Sequence, residues 1–303
     1  MRRVFLVVVC AAAVVAGCGR PSSVAPPSNV PSDVGAGPEI LPLLINAEIV
    51  KGPNRFLFSL TDRQNRLVAA PDVSVQLRFY DVDASENNIV FDAEARFLWA
   101  IEDRQGLYVA SVAFPDAGRW GTRFDATFPD GTVRSVRADY DVAESGSTPA
   151  LGARVARVDT PTLADAAGDV KRISTDSDPE LRFYRVSIAD ALAAGEPFVV
   201  VFATPAFCES RLCGPTLETA KAVARDYPEI TFINVEPYRM VIRSGSLQPD
   251  LDADGRPQPA EWTSAWGLRS EPYTFVIGAD GTVLAKFEGV MGEDELRTAL
   301  EAL

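Results

Sequence analysis

Two cysteines, Cys208 and Cys213, are the residues of this sequence best suited to chemistry in a folded region. They form a C-x4-C pair, whereas Cys10 and Cys18 lie close to the start of the chain. A thiolate attacks disulfides and binds soft metal ions, and it needs no separate base once its pKa is low. The pair therefore indicates thiol-disulfide exchange, a structural disulfide or a site for a soft metal ion.

The sequence contains no histidine, which is the usual general base and the commonest metal ligand. Ser-His-Asp and Cys-His hydrolysis, zincin chemistry and histidine-ligated copper or iron are therefore disfavoured. With 29 Lys and Arg against 42 Asp and Glu, the net charge of −13 has the wrong sign for binding nucleic acid. We expect no nucleic-acid partner and no cofactor.

The spacing of the two cysteines restricts the elements that can hold them. Residues five apart on a regular helix lie roughly 140° apart around the axis and about 8 to 9 Å apart, too far for a disulfide. An apolar strand is predicted over residues 197–203 and a helix from about Gly214 to Tyr227. We therefore expect Cys208 in the loop before this helix and Cys213 at or just before its first turn, where the helix dipole favours a thiolate.

Three features of the C-terminal region resemble the thioredoxin-like superfamily, in particular the TlpA-type envelope oxidoreductases. They are the aromatic Phe207 before the cysteine pair, the string Cys213-Gly214-Pro215 at a strand-to-helix junction, and Glu271-Pro272-Tyr273-Thr274 at the start of a strand. The resemblance implies an α/β fold, a cis-proline at Pro272 and substrate peptides bound beside it by backbone contacts. The spacing departs from the family, which has C-x2-C.

The resemblance also implies that Cys208 attacks and Cys213 resolves the mixed disulfide. The reverse assignment stays open, because Cys213-Gly214-Pro215-Thr216 is similar to a thioredoxin motif with Thr216 in place of the second cysteine. Protein thiols or disulfides of the cell envelope are the expected partners. The direction of the exchange is not indicated.

Two other interpretations of the pair remain open. The first is a noncatalytic scaffold with a static disulfide, which suits an oxidising envelope. The second is copper delivery, because the pair is similar to that of the Sco copper chaperones. That family also supplies a histidine, which this sequence lacks, so a Cu(I) site would need a thioether from Met240 or Met291.

Residues 39–145 alternate strand-like runs with turn signals such as Pro129-Asp130-Gly131. The segment from Gly106 to Trp120 resembles the G-x-Y and G-x-W pattern of Ig-like accessory domains on bacterial envelope proteins. About seven strands in a β-sandwich are expected, with a spacing or docking role for the domain. Trp99, Tyr108 and Trp120 could line a ligand surface, but core packing is the expectation for aromatic residues at strand spacing.

The start of the chain has the pattern of a bacterial lipoprotein signal. Arg2 and Arg3 precede an apolar run over residues 4–15, and Val15-Ala16-Gly17-Cys18 resembles a lipobox. Cys18 would then carry the lipid, and the Pro- and Ser-rich residues 19–38 would form a tether. We expect an envelope protein with a lipid anchor in the membrane.

The predicted organisation is a signal peptide (1–17), a tether (18–38), an Ig-like sandwich (39–145), a connector (146–178) and a thioredoxin-like domain (179–303). The fold class is thus two-domain, an all-β Ig-like sandwich followed by an α/β thioredoxin-like fold. The spacing of Asp250, Asp252, Asp254 and Glu261 matches an EF-hand loop, but the prolines within it favour a solvated insertion.

Overall fold

The computed structural model describes residues 39–85 and 87–303. The expected signal peptide, lipidated Cys18 and tether lie outside the described residues. Pro38–Leu303 form one compact unit. Within the described ranges, no helix is both long enough and apolar enough to cross a bilayer.

The first seven strands form one antiparallel sheet. They are β1 (Ile40–Leu44), β2 (Gly52–Asp62), β3 (Ser74–Asp81), β4 (Ile89–Ile101), β5 (Gln105–Phe114), β6 (Gly118–Thr127) and β7 (Val133–Val142). Their order in the sheet is β1-β2-β5-β4-β3-β6-β7. The Asp-Gly turn predicted between the last two strands is confirmed, with Gly131 at a φ of +82°. Its Asp130 carboxylate accepts hydrogen bonds from the backbone and side chain of Thr132.

The two edges of this sheet approach each other, so it nearly closes. Val50, just before β2, forms a parallel bridge with Ala143, just after β7. Lys51 N–H donates to Ala143 O at 2.9 Å, and Ala143 N–H donates to Ile49 O at 2.9 Å. The interior is apolar and rich in aromatic rings, and Tyr108 and Trp120 are both buried within it as expected. The same expectation is wrong for Trp99, which lies near the end of β4 and is exposed.

The rest of the chain contains a small mixed sheet with short helices. Its elements are α1 (Ile188–Ala194), β8 (Phe198–Phe202), α2 (Cys213–Ala224), β9 (Thr231–Val235), β10 (Met240–Arg243), β11 (Ser246–Pro249), α3 (Glu261–Ala265), β12 (Tyr273–Ile277), β13 (Val283–Glu288) and α4 (Glu293–Leu300). The four-stranded sheet has the order β13-β12-β8-β9. Only the β8–β9 pair is parallel, and β10 and β11 form a separate hairpin. Two 3-10 helices, Val170–Arg172 and Leu181–Tyr184, precede α1.

The sequence signals that predicted individual helices and the strand β8 are confirmed. The Ser187 side chain caps α1 by accepting from Asp190 N–H, and Gly195 ends the helix with a left-handed φ of +67°. All five residues of β8 are buried, as the continuous apolar run predicted. The first turn of α4 carries Glu293 and two further acidic residues.

The predicted fold class, an Ig-like sandwich followed by an α/β thioredoxin-like fold, is wrong. The described residues are mostly β, with 40% strand and 15% helix, and no clear α/β thioredoxin-like domain is evident among them. Near-closure of the first seven strands replaces two stacked sheets, because the edge strands β1 and β7 meet. In the C-terminal region only α2 exceeds eight residues, and long irregular connections take the place that helices occupy in an α/β fold.

Polar contacts join the first sheet to the C-terminal region. Arg55 on β2 donates from Nε and Nη2 to the two carboxylate oxygens of Glu295 on α4, at 2.8 and 2.9 Å. Ala47 N–H donates to Glu288 Oε1 at 2.7 Å. The Ser147 backbone N–H donates to Glu48 at 2.8 Å. The first two contacts hold α4 and β13, and α4 packs against α2, the helix that begins at Cys213.

Candidate functional site

The two predicted cysteines form a disulfide at the start of α2. Cys208 lies in the loop after β8, and Cys213 is the first residue of the helix. Their Cα atoms are 5.9 Å apart, within the range of a disulfide. This placement agrees with the expectation from the spacing, in which only the second cysteine could be helical.

The two sulfurs differ in exposure. Cys208 is half-buried, whereas Cys213 has no exposed surface and belongs to the core around α2. The backbone N–H of Cys213 donates to the Cys208 sulfur at 3.2 Å. An incoming thiol can therefore reach Cys208, and the positive end of the α2 dipole lies beside both sulfurs.

The loop between the cysteines is held by Ser210. Its Oγ lies 3.3 Å from the Cys208 sulfur, donates to Glu271 O at 3.0 Å and accepts from Leu212 N–H at 3.3 Å. Arg211 has a φ of +63°, which is a strained backbone conformation for a residue with a side chain. The loop thus connects the disulfide directly to the segment before β12.

That segment contains Pro272, the third predicted site residue, and the Glu271–Pro272 peptide bond is cis as the resemblance implied. Pro272 is buried, and its carbonyl accepts from Gly289 N–H at 2.9 Å. The hydrogen bond from Ser210 to the Glu271 carbonyl places this segment against the cysteine loop. The structure therefore brings Cys208, Cys213 and Pro272 together.

Sequence reasoning missed Glu271 as a site residue. Its carboxylate has an oxygen within 4.8 Å of both cysteine sulfurs. Burial raises the pKa of Glu271, and repulsion from Glu209 raises it further, whereas hydrogen bonds from Glu209 N–H and from Tyr238 oppose this rise. The only sequence signal was its position directly before Pro272.

A second buried carboxyl, Glu236, lies at the end of β9 behind the same loop. Its Oε1 accepts from the N–H and Oγ1 of Thr175 at 2.6 and 2.7 Å, and Thr175 Oγ1 accepts from Ala206 N–H at 3.3 Å. The Thr204 hydroxyl faces the Glu236 carboxylate and lowers its pKa, and among the described residues neither Glu236 Oε2 nor Thr204 Oγ1 has another hydrogen-bond partner. Burial raises the pKa of Glu236 to about 7.

We assign no metal site among the described residues. Cys208, Cys213 and Glu271 are close enough to surround an ion, but the two sulfurs are bonded to each other and offer no thiolate. Of the thioethers considered for copper, Met291 packs in the same core cluster as the cysteines, whereas Met240 lies on β10. In the EF-hand-like loop, the Asp250 carboxylate is paired with Arg239 and Arg243.

Comparisons with known proteins leave the family of this chain open. No protein-family model matches the sequence, and no curated protein matches it. The crystal structure of MtrC from Shewanella baltica aligns with a TM-score of 0.24 and 14% identity, over 38% of this chain. The alignment spans 24% of the MtrC chain, and a similarity this low carries no argument about fold or function. Membership of a TlpA-type family therefore stays a prediction.

Proposed function

We propose that this protein exchanges disulfides with protein thiols through Cys208 and Cys213. The observation that carries the proposal is the asymmetry of the pair, in which a reachable sulfur is bonded to a buried one at a helix N-terminus. Disulfide exchange needs one accessible sulfur for attack and a second sulfur that leaves as thiolate. A helix N-terminus stabilises that thiolate.

The short loop also favours exchange over a purely structural bond. The sequence separation of the two cysteines is 5, and in the chain-entropy model so small a loop gains only about 2 kcal/mol from a disulfide. Both ends belong to the same local segment, so the bond joins no distant elements. A bond of this kind contributes little to stability and is readily available for chemistry.

The exchange follows from the exposure of each sulfur. The thiolate of a partner protein attacks Cys208 and forms a mixed disulfide, while the electron pair of the broken bond goes to the Cys213 sulfur. A second thiol of the partner then attacks the mixed disulfide and releases Cys208. Two electrons pass from the partner dithiol to the pair, so the partner is oxidised, and the reverse sequence reduces a partner disulfide.

An equilibrium redox titration tests this proposal, with free thiols trapped by alkylation and counted by mass. A two-electron transition above about −300 mV is the expected result for an exchangeable pair. A transition well below that value would identify a structural bond and contradict the proposal. If the two cysteines form no bond in solution, the copper interpretation replaces it.

A matched pair of variants tests the assignment of roles. In Cys213→Ser the half-buried Cys208 is free, whereas in Cys208→Ser the remaining thiol is buried. We expect the first variant to form a mixed disulfide with a disulfide probe, such as oxidised glutathione, at least about tenfold faster than the second. Equal rates would assign no distinct role to Cys208.

We also propose that the protein acts in the cell envelope, anchored by lipid on Cys18. The support is the sequence pattern alone, since this residue lies outside the described part of the chain. Cys18→Ala is expected to release the protein from the membrane fraction, and the wild-type N-terminal peptide should carry the mass of a diacylglycerol group. A wild-type protein without this mass would contradict the anchor.

A further inference from the structure

The Glu271 carboxyl is held close to both sulfurs. One of its oxygens lies within 4.8 Å of the sulfurs of Cys208 and Cys213. Its position is fixed twice, because Glu209 N–H donates to the carboxylate at 3.1 Å and Ser210 donates to the Glu271 carbonyl at 3.0 Å. The acid therefore belongs to the same rigid loop contact as the disulfide.

The buried sulfur needs a proton when the disulfide opens. Cys213 has no exposed surface, so the thiolate that leaves it has no water of its own, and burial disfavours the charged form. The sequence has no histidine to carry the proton. A nearby carboxyl that is itself partly buried can supply it.

We propose that Glu271 is the proton donor and acceptor for the cysteine pair, protonating the Cys213 sulfur as the disulfide is reduced. This inference rests on the proposed exchange function and adds a third participant to it. The acid acts at the sulfur that an incoming thiol cannot reach directly.

Reduction of the disulfide by a dithiol moves one proton from Glu271 to Cys213. One thiolate of the dithiol attacks Cys208, the Cys208–Cys213 bond breaks, and the electron pair goes to Cys213. The Glu271 carboxylic acid gives its proton to the Cys213 sulfur and becomes a carboxylate. The second thiol of the dithiol loses its proton to solvent and displaces Cys208, closing its own disulfide, and the released Cys208 thiolate takes up a proton from solvent according to its pKa. On oxidation, the carboxylate takes the proton back from Cys213 as the bond forms again.

The surroundings of Glu271 support this role. Its titratable neighbours on the packed elements are Glu209, on the cysteine loop, and Tyr238, on the segment after β9. Burial and the Glu209 charge raise the pKa of Glu271, so the acid keeps its proton to a higher pH than an exposed glutamate does. The Tyr238 hydroxyl, whose own pKa is raised by burial, stays a hydrogen-bond donor to the carboxylate.

The test is the rate at which dithiothreitol reduces the disulfide of the intact protein, from about pH 5 to about pH 9, divided by the concentration of dithiothreitol thiolate. For the wild type we expect this normalised rate to fall at least about tenfold as Glu271 loses its proton. For Glu271→Gln we expect a rate that is independent of pH and that lies below the wild-type rate at pH 5.

The low-pH comparison separates proton donation from simple charge repulsion. If Glu271 only repels incoming thiolates, Glu271→Gln will be as fast as the wild type at pH 5, and that result would overturn the inference. Glu271→Asp keeps the carboxyl and should keep the pH-dependent step. Glu209→Gln removes a neighbouring charge and should keep the step but move it to lower pH.

The same experiment distinguishes the two proposals. A wild-type disulfide that dithiothreitol reduces, at a normalised rate unchanged by Glu271→Gln at every pH, would overturn the role of Glu271 and leave the exchange function standing. A wild-type disulfide that stays intact until the protein unfolds would overturn both. Circular dichroism of each oxidised variant shows whether it has folded. If Glu271→Gln does not fold, the pH dependence of the reduction rate of Glu271→Asp takes its place in the test.

Discussion

The buried Glu236 should make the stability of this protein depend on pH, and Glu236→Gln should remove that dependence. Burial raises the pKa of this carboxyl from 4.5 to about 7 in the folded protein. The folded state therefore holds the proton more tightly than the unfolded state does. This stabilisation is complete below about pH 4.5 and is lost as the pH rises through about 7.

The size of the effect follows from the size of the pKa change. A rise from 4.5 to about 7 corresponds to about 3 kcal/mol of unfolding free energy. Glutamine avoids this loss because it stays neutral. Its Oε1 can accept from Thr175 as Glu236 does, and its amide can donate to the Thr204 hydroxyl that faces the Glu236 carboxylate.

The assay is urea denaturation of both oxidised proteins at a series of pH values, with a check that the m-value is constant. We expect Glu236→Gln to match the wild type within about 0.5 kcal/mol at pH 4 and to exceed it by about 3 kcal/mol at pH 8. The exposed Glu229→Gln is the matched control and should show no such divergence. A constant difference between wild type and Glu236→Gln at all pH values would refute the reasoning.

Three further predictions concern stability and use the same denaturation assay. Reducing the Cys208–Cys213 bond should lower the unfolding free energy by only about 2 kcal/mol and leave the fold intact, because the closed loop is short. Arg55→Ala should cost about 2 kcal/mol, because it removes both guanidinium hydrogen bonds to the largely buried Glu295 carboxylate, which keeps the more distant Arg96. Gly267→Ala should cost at least about 2 kcal/mol, because φ there is +62° and a Cβ would overlap a neighbouring carbonyl.

Two control substitutions show whether the expected losses of stability depend on the particular surroundings of Gly267 and Arg55. Gly245 also has a positive φ, +81°, but faces open space, so Gly245→Ala should cost only about 1 kcal/mol. Arg66 forms an exposed ion pair with Asp62, and Arg66→Ala should change stability by less than about 1 kcal/mol. If Gly267→Ala costs no more than Gly245→Ala, the close approach to Ser147 is not what requires the glycine.

The sequence predicted local elements well where the signal is local. Ser187 and Gly195 mark the ends of α1 because capping depends on a few neighbouring residues. The same holds for the Asp-Gly turn at Gly131 and for the position of Cys213 at the start of α2. In each case the backbone conformation depends on side chains within one turn.

Features that depend on distant residues were not predicted. Near-closure of the first sheet depends on Val50 meeting Ala143, almost a hundred residues away, so the predicted sandwich was wrong. Glu236 and Glu271 were missed because, among 42 acidic residues, only tertiary packing distinguishes those that are buried beside the disulfide.

The buried carboxyl of Glu288 limits how this chain can be recombined in evolution or in engineering. It accepts hydrogen bonds from Ala47 N–H, from the Asn46 amide and from Ser270, so two of these donors come from the segment between β1 and β2. A transplanted C-terminal region would keep this acid but lose those donors, and a buried polar group left unpaired is costly. Any replacement for the first sheet must therefore present equivalent donors at the same place. We expect the two parts to be inherited as a pair and not shuffled as independent modules.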